Sequence, residues 1–314
     1  MHLITIGDNN VDTYASGYSY PGGNCPNVAA YAAMNGWNAT YIGVLGNDDF
    51  GDLETRGLKG AGVNTSLIRR ENGLTSRDVI VSDSGDRVFT CYDRSIIDAH
   101  PICFSEEELA VLKQADLLHS SVYSVFGPGE FDRLCALDVP VSYDFSVEWR
   151  SGVTQVADSD FDSVMGCLKE NTMENICPKI DYAFFSCGDI TVEETKAVLQ
   201  KAVSLGCKLA VGTRGMEGSW LYDGQEFYHQ QAYPAQVVDT LGAGDSFITR
   251  FLLSYTEKTK WLEETLRAVN HSIAKENLGD YLHKSITAAL ADAALFASRT
   301  CSLEGAFGFG EKLI

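Results

Sequence analysis

The sequence predicts an α/β fold in which helices cover both faces of a mainly parallel β-sheet. Short apolar runs alternate with helical patterns along the chain, as strands and crossover helices do in such folds. Two helix starts carry a capping box, Ser105 with Glu108 and Thr191 with Glu194, in which the side chains satisfy exposed N–H groups. The apolar runs predicted as strands are Leu3 to Gly7, Ala39 to Leu45, Ala115 to Ser121, Val139 to Phe145, Tyr182 to Ser186 and Lys208 to Gly212.

A second, smaller β-sheet is predicted from two stretches that break this alternation. Residues 74–94 alternate like a hairpin around the turn formed by residues 82–86, and residues 9–21 are irregular and rich in tyrosine. One long surface hairpin is the alternative. The stretches 147–179 and 260–285 look like insertions. The region 260–299 is expected to form two or three helices, over 261–277 and 285–299.

Composition limits the partners of this chain. The 314 residues include 24 basic and 43 acidic side chains, for a net charge of −19, which disfavours binding to nucleic acid and to anionic membranes. No apolar run approaches the roughly 18 residues of a membrane-spanning helix, and the N-terminus lacks the pattern of a signal peptide. A cytoplasmic protein is therefore expected. The nine cysteines form no Cys-x-x-Cys pair, so disulfides and a structural zinc site are not expected.

The strongest local motif is Gly242-Ala243-Gly244-Asp245, directly before an apolar helical pattern. Small residues at a helix start leave the backbone N–H groups open to an anion, which the helix dipole also favours. An acid at this position would repel a phosphate group, but it suits phosphoryl transfer if it accepts the proton of an attacking hydroxyl. The alternative is an ordinary helix start with a favourable aspartate.

A second polar group of residues follows the first predicted strand. It comprises Asp8, Asp12, the run Gly22-Gly23-Asn24, and Asn27. Because ligands of α/β sheets bind at the carboxyl ends of strands, carboxylates and amides here suit a polyhydroxylated ligand. A turn followed by a helix cap accounts for the same residues without a ligand.

A third motif follows the last predicted strand, where Thr213, Gly215 and Gly218 lie close together. Glycines at this spacing permit close approach of the backbone to a nucleotide, although such a pattern alone is weakly specific.

These three motifs, in this order, resemble the ribokinase-like carbohydrate kinases of the phosphofructokinase-B family over nearly the whole chain. The diagnostic segments are residues 22–51 and 239–245. The resemblance implies a ribokinase-like three-layer α/β fold with a small β lid. It assigns 1–8, 22–67 and 100–314 to the large domain, and 9–21 and 68–99 to the lid.

The resemblance also implies roles for individual residues. Asp245 would be the catalytic base, and the amides of Gly242, Ala243 and Gly244 would hold the developing negative charge. ATP and Mg²⁺ would be required, with a monovalent cation as an optional addition. The family usually places Asn-x-x-Glu where this chain has Ser186 to Asp189, and Asp189 would replace that glutamate by binding Mg²⁺ through water. The remaining implied contacts are Asp8, Asp12, Gly22, Gly23, Asn27 and Arg94 for the sugar, and Ser186, Thr213, Gly215 and Gly218 for the nucleotide.

Within this family, residues 5–29 are most similar to the fructoselysine 6-kinase branch, which suggests a fructosamine substrate phosphorylated at its 6-hydroxyl. The alternative substrates are a free ketose, a sugar acid or a nucleoside. A non-catalytic ligand sensor on the same fold is an alternative function, but a sensor would not need a base such as Asp245. The acidic net charge favours a substrate that carries amines. A small-molecule substrate is the expected partner, and a homodimer formed through the lid is left open. Four acids of the hairpin are candidates to face an ammonium group or are plain solvated residues, namely Asp78, Asp83, Asp86 and Asp93.

Overall fold

A computed structural model describes residues 1–83, 86–93, 95–150, 171–268 and 278–313. The strands are β1 His2–Ile6, β2 Asn10–Tyr14, β3 Tyr18–Gly22, β4 Asn38–Ile42, β5 Val44–Gly46, β6 Arg69–Glu71, β7 Arg77–Asp83, β8 Asp86–Asp93, β9 Leu117–Ser121, β10 Val141–Asp144, β11 Tyr182–Ser186, β12 Leu209–Thr213, β13 Ser219–Tyr222, β14 Phe227–Gln230 and β15 Glu311–Lys312. The helices are α1 Asn24–Met34, α2 Asp49–Ala61, α3 Ser95–Ala99, α4 Glu106–Leu112, α5 Glu130–Cys135, α6 Met173–Ile176, α7 Val192–Leu205, α8 Ala243–Ala268 and α9 Leu278–Thr300.

The main sheet has eight strands in the order β14-β13-β12-β11-β10-β9-β1-β4. The six strands from β12 to β4 are parallel, and the β13–β14 hairpin adds two antiparallel strands at one edge. Parallel strands bring their carboxyl ends to one edge of the sheet, where ligands bind in such folds. The mainly parallel sheet predicted from the sequence is confirmed.

The main sheet is buried on both faces because successive side chains of a strand point in opposite directions. In β1, Leu3 belongs to one apolar cluster, which includes α1, α8 and α9 residues. Its neighbour Ile4 belongs to the other cluster, which includes α4 and α7 residues. The result is the three-layer arrangement of helices, sheet and helices that the resemblance implied.

The second sheet has five strands in the order β15-β3-β2-β7-β8. The β7–β8 hairpin predicted from the alternating pattern is confirmed as an antiparallel pair. The C-terminal strand β15 was not predicted, and it pairs with β3 at Ser19 and Tyr18. Two parts of the predicted lid stretch 68–99 lie outside this sheet: β6 pairs with β5, and α3 packs through Ile96 and Ile97 near Val44. That this sheet acts as a lid stays a prediction.

Two other boundaries differ from the prediction. The run from Ala39 to Leu45 was expected to form one strand, but it divides into β4, which pairs with β1, and β5, which pairs with β6. Trp261 was expected to start a helix, but it lies inside α8, whose 26 residues begin at Ala243. Both predicted capping boxes are confirmed at α4 and α7. The described parts of the chain contain no helix that is long and apolar enough to span a membrane.

Candidate active site

The start of α1 and the start of α8 meet through Asp245. Asn24 donates from its side-chain amide to Oδ1 of Asp245 at 2.8 Å, and Asn27 donates to Oδ2 at 2.6 Å. Asn27 was predicted from the sequence to contact a sugar, and the structure shows that its amide also contacts Asp245. A carboxylate oxygen can accept more than one hydrogen bond, so Asp245 can still accept a proton from a further hydroxyl.

A buried chain of hydrogen bonds orients Asn24. Because its amide nitrogen donates to Asp245 and also to Asp144 (2.8 Å), its Oδ1 must accept from Nε2 of His119, 2.9 Å away. Nδ1 of His119 then lacks a proton and accepts from the hydroxyl of Ser142, at 2.5 Å. Complete burial lowers the pKa of His119 to about 3, so the ring stays neutral. This chain of hydrogen bonds therefore fixes the orientation of the Asn24 amide, with its nitrogen toward the two carboxylates.

Burial shifts the pKa of both carboxyl groups that share Asn24. Desolvation raises the pKa of Asp245 to about 7, against the hydrogen bonds from Asn27 and Asn24, which lower it. Desolvation and the nearby charge of Asp245 raise the pKa of Asp144 to about 8. A carboxyl group with a pKa near neutral pH is suited to accept a proton during catalysis.

The loop before α8 is held by Asp239. Its Oδ2 accepts from the Tyr14 hydroxyl at 2.6 Å and from the Gly305 N–H at 3.0 Å, and its Oδ1 accepts from the Leu241 N–H at 2.8 Å. Tyr14 belongs to the second sheet, so this aspartate connects that sheet to the loop. It also connects the loop to the C-terminal segment through Gly305.

At the end of this loop, Gly242 has a φ of 71°, and a Cβ there would lie 2.6 Å from the Tyr31 hydroxyl. Only glycine fits this conformation and this space without strain. Among the described residues, the N–H groups of Gly242 and Gly244 donate to no acceptor, whereas the Ala243 N–H donates to the Thr240 carbonyl at 3.2 Å. The Ala243 N–H thus closes the tight turn, and that the three amides hold an anion stays a prediction.

The residues predicted to contact a sugar lie beside this loop. Asp8 is buried, and its carboxylate accepts from the Asn24 N–H at 2.8 Å and from the Ser121 hydroxyl at 2.5 Å. Gly23 has a φ of 96°, and a Cβ there would lie 2.8 Å from the Asn10 nitrogen. The buried Asp12 accepts from the Asn10 amide at 3.0 Å.

Gly22 donates its N–H to Glu54 at 3.0 Å, so this backbone donor already has a partner. Glu54 is fully buried in α2, and burial raises its pKa well above the usual range. No local pattern pointed to this residue, because it lies among ordinary helical charges. Arg94, the remaining predicted sugar contact, lies outside the described residues.

A cavity of 340 Å³ adjoins the start of α8. All four predicted nucleotide contacts line it, namely Ser186, Thr213, Gly215 and Gly218. Gly244 also lines it, and a Cβ at Gly244 would meet nothing within 4 Å, so the helix start is open to the cavity. A pocket with apolar walls, small residues and an open helix N-terminus fits a nucleotide with its phosphates at that end.

Within the described part of the chain, candidate ligands for a metal ion are few near this cavity. No cluster of three His, Cys, Asp or Glu side chains suited to a metal occurs within the described ranges. Mg²⁺ commonly binds through substrate phosphates and one or two carboxylates, so such a cluster is not required. Asp189 is exposed and is not among the residues that line the cavity.

Reasoning from the sequence missed Asn24 as a contact of Asp245, and also missed Asp144, His119 and Ser142. Asn24 lies in the diagnostic segment 22–51, and the predicted sugar contact Asn27, three residues later, was the one sign that Asn24 faces the site. The other three lie on β9 and β10 in runs that read as plain buried strands. Only the pairing of β9 with β1, and of β10 with β9, brings them to the site.

Comparisons with known proteins agree with this arrangement. Residues 6–275 match the sequence profile of the pfkB family of carbohydrate kinases. The chain is 34% identical to fructosamine kinase FrlD of Bacillus subtilis (strain 168), over 99% of this chain and 94% of that protein. It is 32% identical to fructoselysine 6-kinase of Escherichia coli (strain K12), over 81% of this chain and 89% of that protein.

Solved structures with a similar fold include a ribokinase of Arabidopsis thaliana complexed with ribose and ATP, with a TM-score of 0.72 and 22% identity. That match covers 97% of this chain and 94% of the other. A fructokinase of Xylella fastidiosa with bound ATP has a TM-score of 0.71 and 20% identity, covering 98% and 94% of the two chains. The family match, the two sequence relatives and the fold lead to one conclusion: this chain belongs to the pfkB family of carbohydrate kinases and is an ATP-dependent sugar kinase.

Proposed function

We propose that this chain phosphorylates a fructosamine such as fructoselysine at its 6-hydroxyl, with Asp245 as the general base. The relatives at 34% and 32% identity, named as fructosamine and fructoselysine kinases, carry the substrate assignment. The excess of acidic residues supports it, because the lysine adduct carries amines.

The contacts of Asp245 support its role. Asn24 and Asn27 hold its carboxylate in one orientation at the end of the nucleotide cavity. A pKa of about 7 lets Asp245 be ionised in the resting enzyme and still accept the proton of a substrate hydroxyl. Burial and the charge of Asp245 raise the pKa of Asp144 to about 8, so Asp144 places less negative charge beside the base than an ordinary aspartate would.

The remaining contacts are those that the family resemblance implies. The N–H groups of Gly242 and Gly244 would hold the charge that develops on the transferred group. Asp8, Asp12, Gly23 and Asn27 would contact the sugar. ATP supplies the phosphoryl group, and Mg²⁺ offsets the charge of its phosphates. Asp189 would reach the metal through water. A monovalent cation and a homodimer formed through the second sheet remain predictions.

A substrate panel tests the proposal. Values of kcat/KM are measured with fructoselysine, free fructose, a sugar acid and a nucleoside, and the phosphorylated position is identified by NMR. Fructoselysine is expected to exceed free fructose by at least about tenfold. If fructose or the nucleoside performs equally well, the fructosamine assignment is wrong although the sugar kinase activity remains.

The second candidate is a kinase of a free ketose. It is supported by matches to relatives named as a 6-phosphofructokinase and a fructokinase, at 26% and 27% identity. Their lower identity places this candidate second.

A further inference from the structure

Asp78 is a buried acid of the second sheet. It lies on β7 directly beside Asp12 of β2, because the two strands pair in parallel with these residues in register. Register partners in neighbouring strands point to the same face of a sheet. Only 3% of Asp12 and 8% of Asp78 is exposed, so the two carboxyl groups are withdrawn from solvent together.

The face that carries Asp78 is directed at the site of Asp245. Tyr14 lies two residues after Asp12, and therefore on the same face, and its hydroxyl donates to Asp239 in the loop before α8. Asn10 lies two residues before Asp12 and is in register with Gly22, which is followed by Gly23 and Asn24. The strand that leads into the site is β3, and Asp78 is two strands away from it.

Asp78 also lacks a complete set of hydrogen bonds. Its Oδ1 is buried and has no hydrogen-bond partner among the residues that the structure describes. Its neighbour in sequence, Arg77, points to the opposite face and lies over the ring of Phe50, 5.3 Å from the ring centroid. Burial raises the pKa of Asp78 to about 7, against a hydrogen bond from Asn10 that lowers it. A buried carboxyl oxygen without a donor is unfavourable unless a ligand supplies one.

We infer that Asp78 determines substrate specificity by binding the secondary ammonium group at C1 of the ketosamine. This inference rests on the proposed function and deepens it. In a 6-kinase the 6-hydroxyl faces the base, so C1 and its amine lie at the opposite end of the sugar. Two strand spacings place Asp78 roughly 10 Å across the sheet from β3, on the face that also carries Asp12.

This contact gives a physical reason for rejecting free ketoses. A free ketose carries a hydroxyl at C1 in place of the ammonium group, so it offers no positive charge to Asp78. Its binding would still remove solvent from the Asp78 carboxylate. A site built for a charged donor discriminates strongly against an analogue that lacks it. Of the four hairpin acids considered from the sequence, Asp78 is the one whose side chain the structure describes.

The test compares two substrates that differ only in the amine, fructosamine itself (1-amino-1-deoxyfructose) and fructose. In Asp78→Asn, kcat/KM for fructosamine is expected to fall at least about tenfold, while kcat/KM for fructose stays within about threefold. Asp280→Asn is the matched control, because it removes the same charge from an exposed helix position that pairs with Lys284. Asp78→Ser, measured in the same way, replaces Asp78→Asn if that variant does not fold.

Equal losses for both substrates, or an unchanged ratio, would overturn the inference, because Asp78 would then have a structural role or none at this site. A wild-type enzyme that does not use fructosamine or fructoselysine would instead overturn the proposed function. The two failures are therefore distinguished by the wild-type measurement alone.

Discussion

Replacing Asn24 with Ala should raise the pKa of the proposed base and move the pH dependence of the reaction. Asn24 donates one hydrogen bond to Asp245 and one to Asp144, each at 2.8 Å, and each bond lowers the pKa of the carboxyl group that accepts it. Without the donor, the ionised form of Asp245 loses stabilisation. The proton is then held to a higher pH.

The size of the shift follows from the energy of one hydrogen bond. A hydrogen bond to a charged group contributes about 1.5–3 kcal/mol, and 1.36 kcal/mol corresponds to one pKa unit. Because Asn27 still donates to Asp245, we expect the lower end, an increase of about one unit from the value of about 7. At pH 7 the ionised fraction then falls roughly fivefold, and at pH 9 the difference nearly disappears.

The assay is kcat/KM for the sugar at saturating ATP, measured from pH 5.5 to 9.5, since this profile reports the pKa of the free enzyme. Thr249→Val is the control, because Thr249 donates to the backbone carbonyl of Asp245 and not to its carboxylate. Its acid limb should stay in place. An Asn24→Ala profile that is lowered equally at every pH, or whose acid limb moves to lower pH, would refute the reasoning.

Four further outcomes are expected. Asp245→Asn should lower kcat by about 10²–10⁴ while the Kd of ATP, from calorimetry, changes only a few-fold; near-normal kcat would exclude Asp245 as the base. Asp189→Ala should raise the Mg²⁺ concentration for half-maximal rate more than the KM of the sugar, and an unchanged Mg²⁺ titration would remove Asp189 from metal binding. Gly244→Val should raise the KM of ATP, because Gly244 lines the nucleotide cavity and a side chain there enters open space; an unchanged KM would place the phosphates elsewhere. Glu54→Gln should lose less thermal stability than wild type as the pH rises above about 5. Burial raises the folded-state pKa of Glu54, so ionisation above its unfolded pKa costs the wild type stability that Gln retains; parallel Tm curves would contradict this.

The sequence by itself determined the features that depend on residues close together in the chain. Gly242 to Asp245 could be assigned to a helix start because small residues and an acid before an apolar pattern are typical of one, and α8 does begin at Ala243. The capping boxes at Ser105 and Thr191 were predictable for the same reason, since their hydrogen bonds span three residues. Thr213, Gly215 and Gly218 could be grouped because they lie close together in the chain, and the structure shows that they line one cavity. That they bind a nucleotide stays a prediction.

Only the tertiary structure decided which distant residues share the site. His119 and Asp144 reach Asn24 because β9 and β10 follow β1 in the sheet, and strand order is set by packing of the whole chain rather than by any local pattern. The division of the run from Ala39 to Leu45 has the same origin, because β4 pairs with β1 in the main sheet whereas β5 pairs with β6. The sequence left Asp78 open between facing an ammonium group and being solvated, and gave no sign of Glu54. The burial of both became visible only when neighbouring elements covered them.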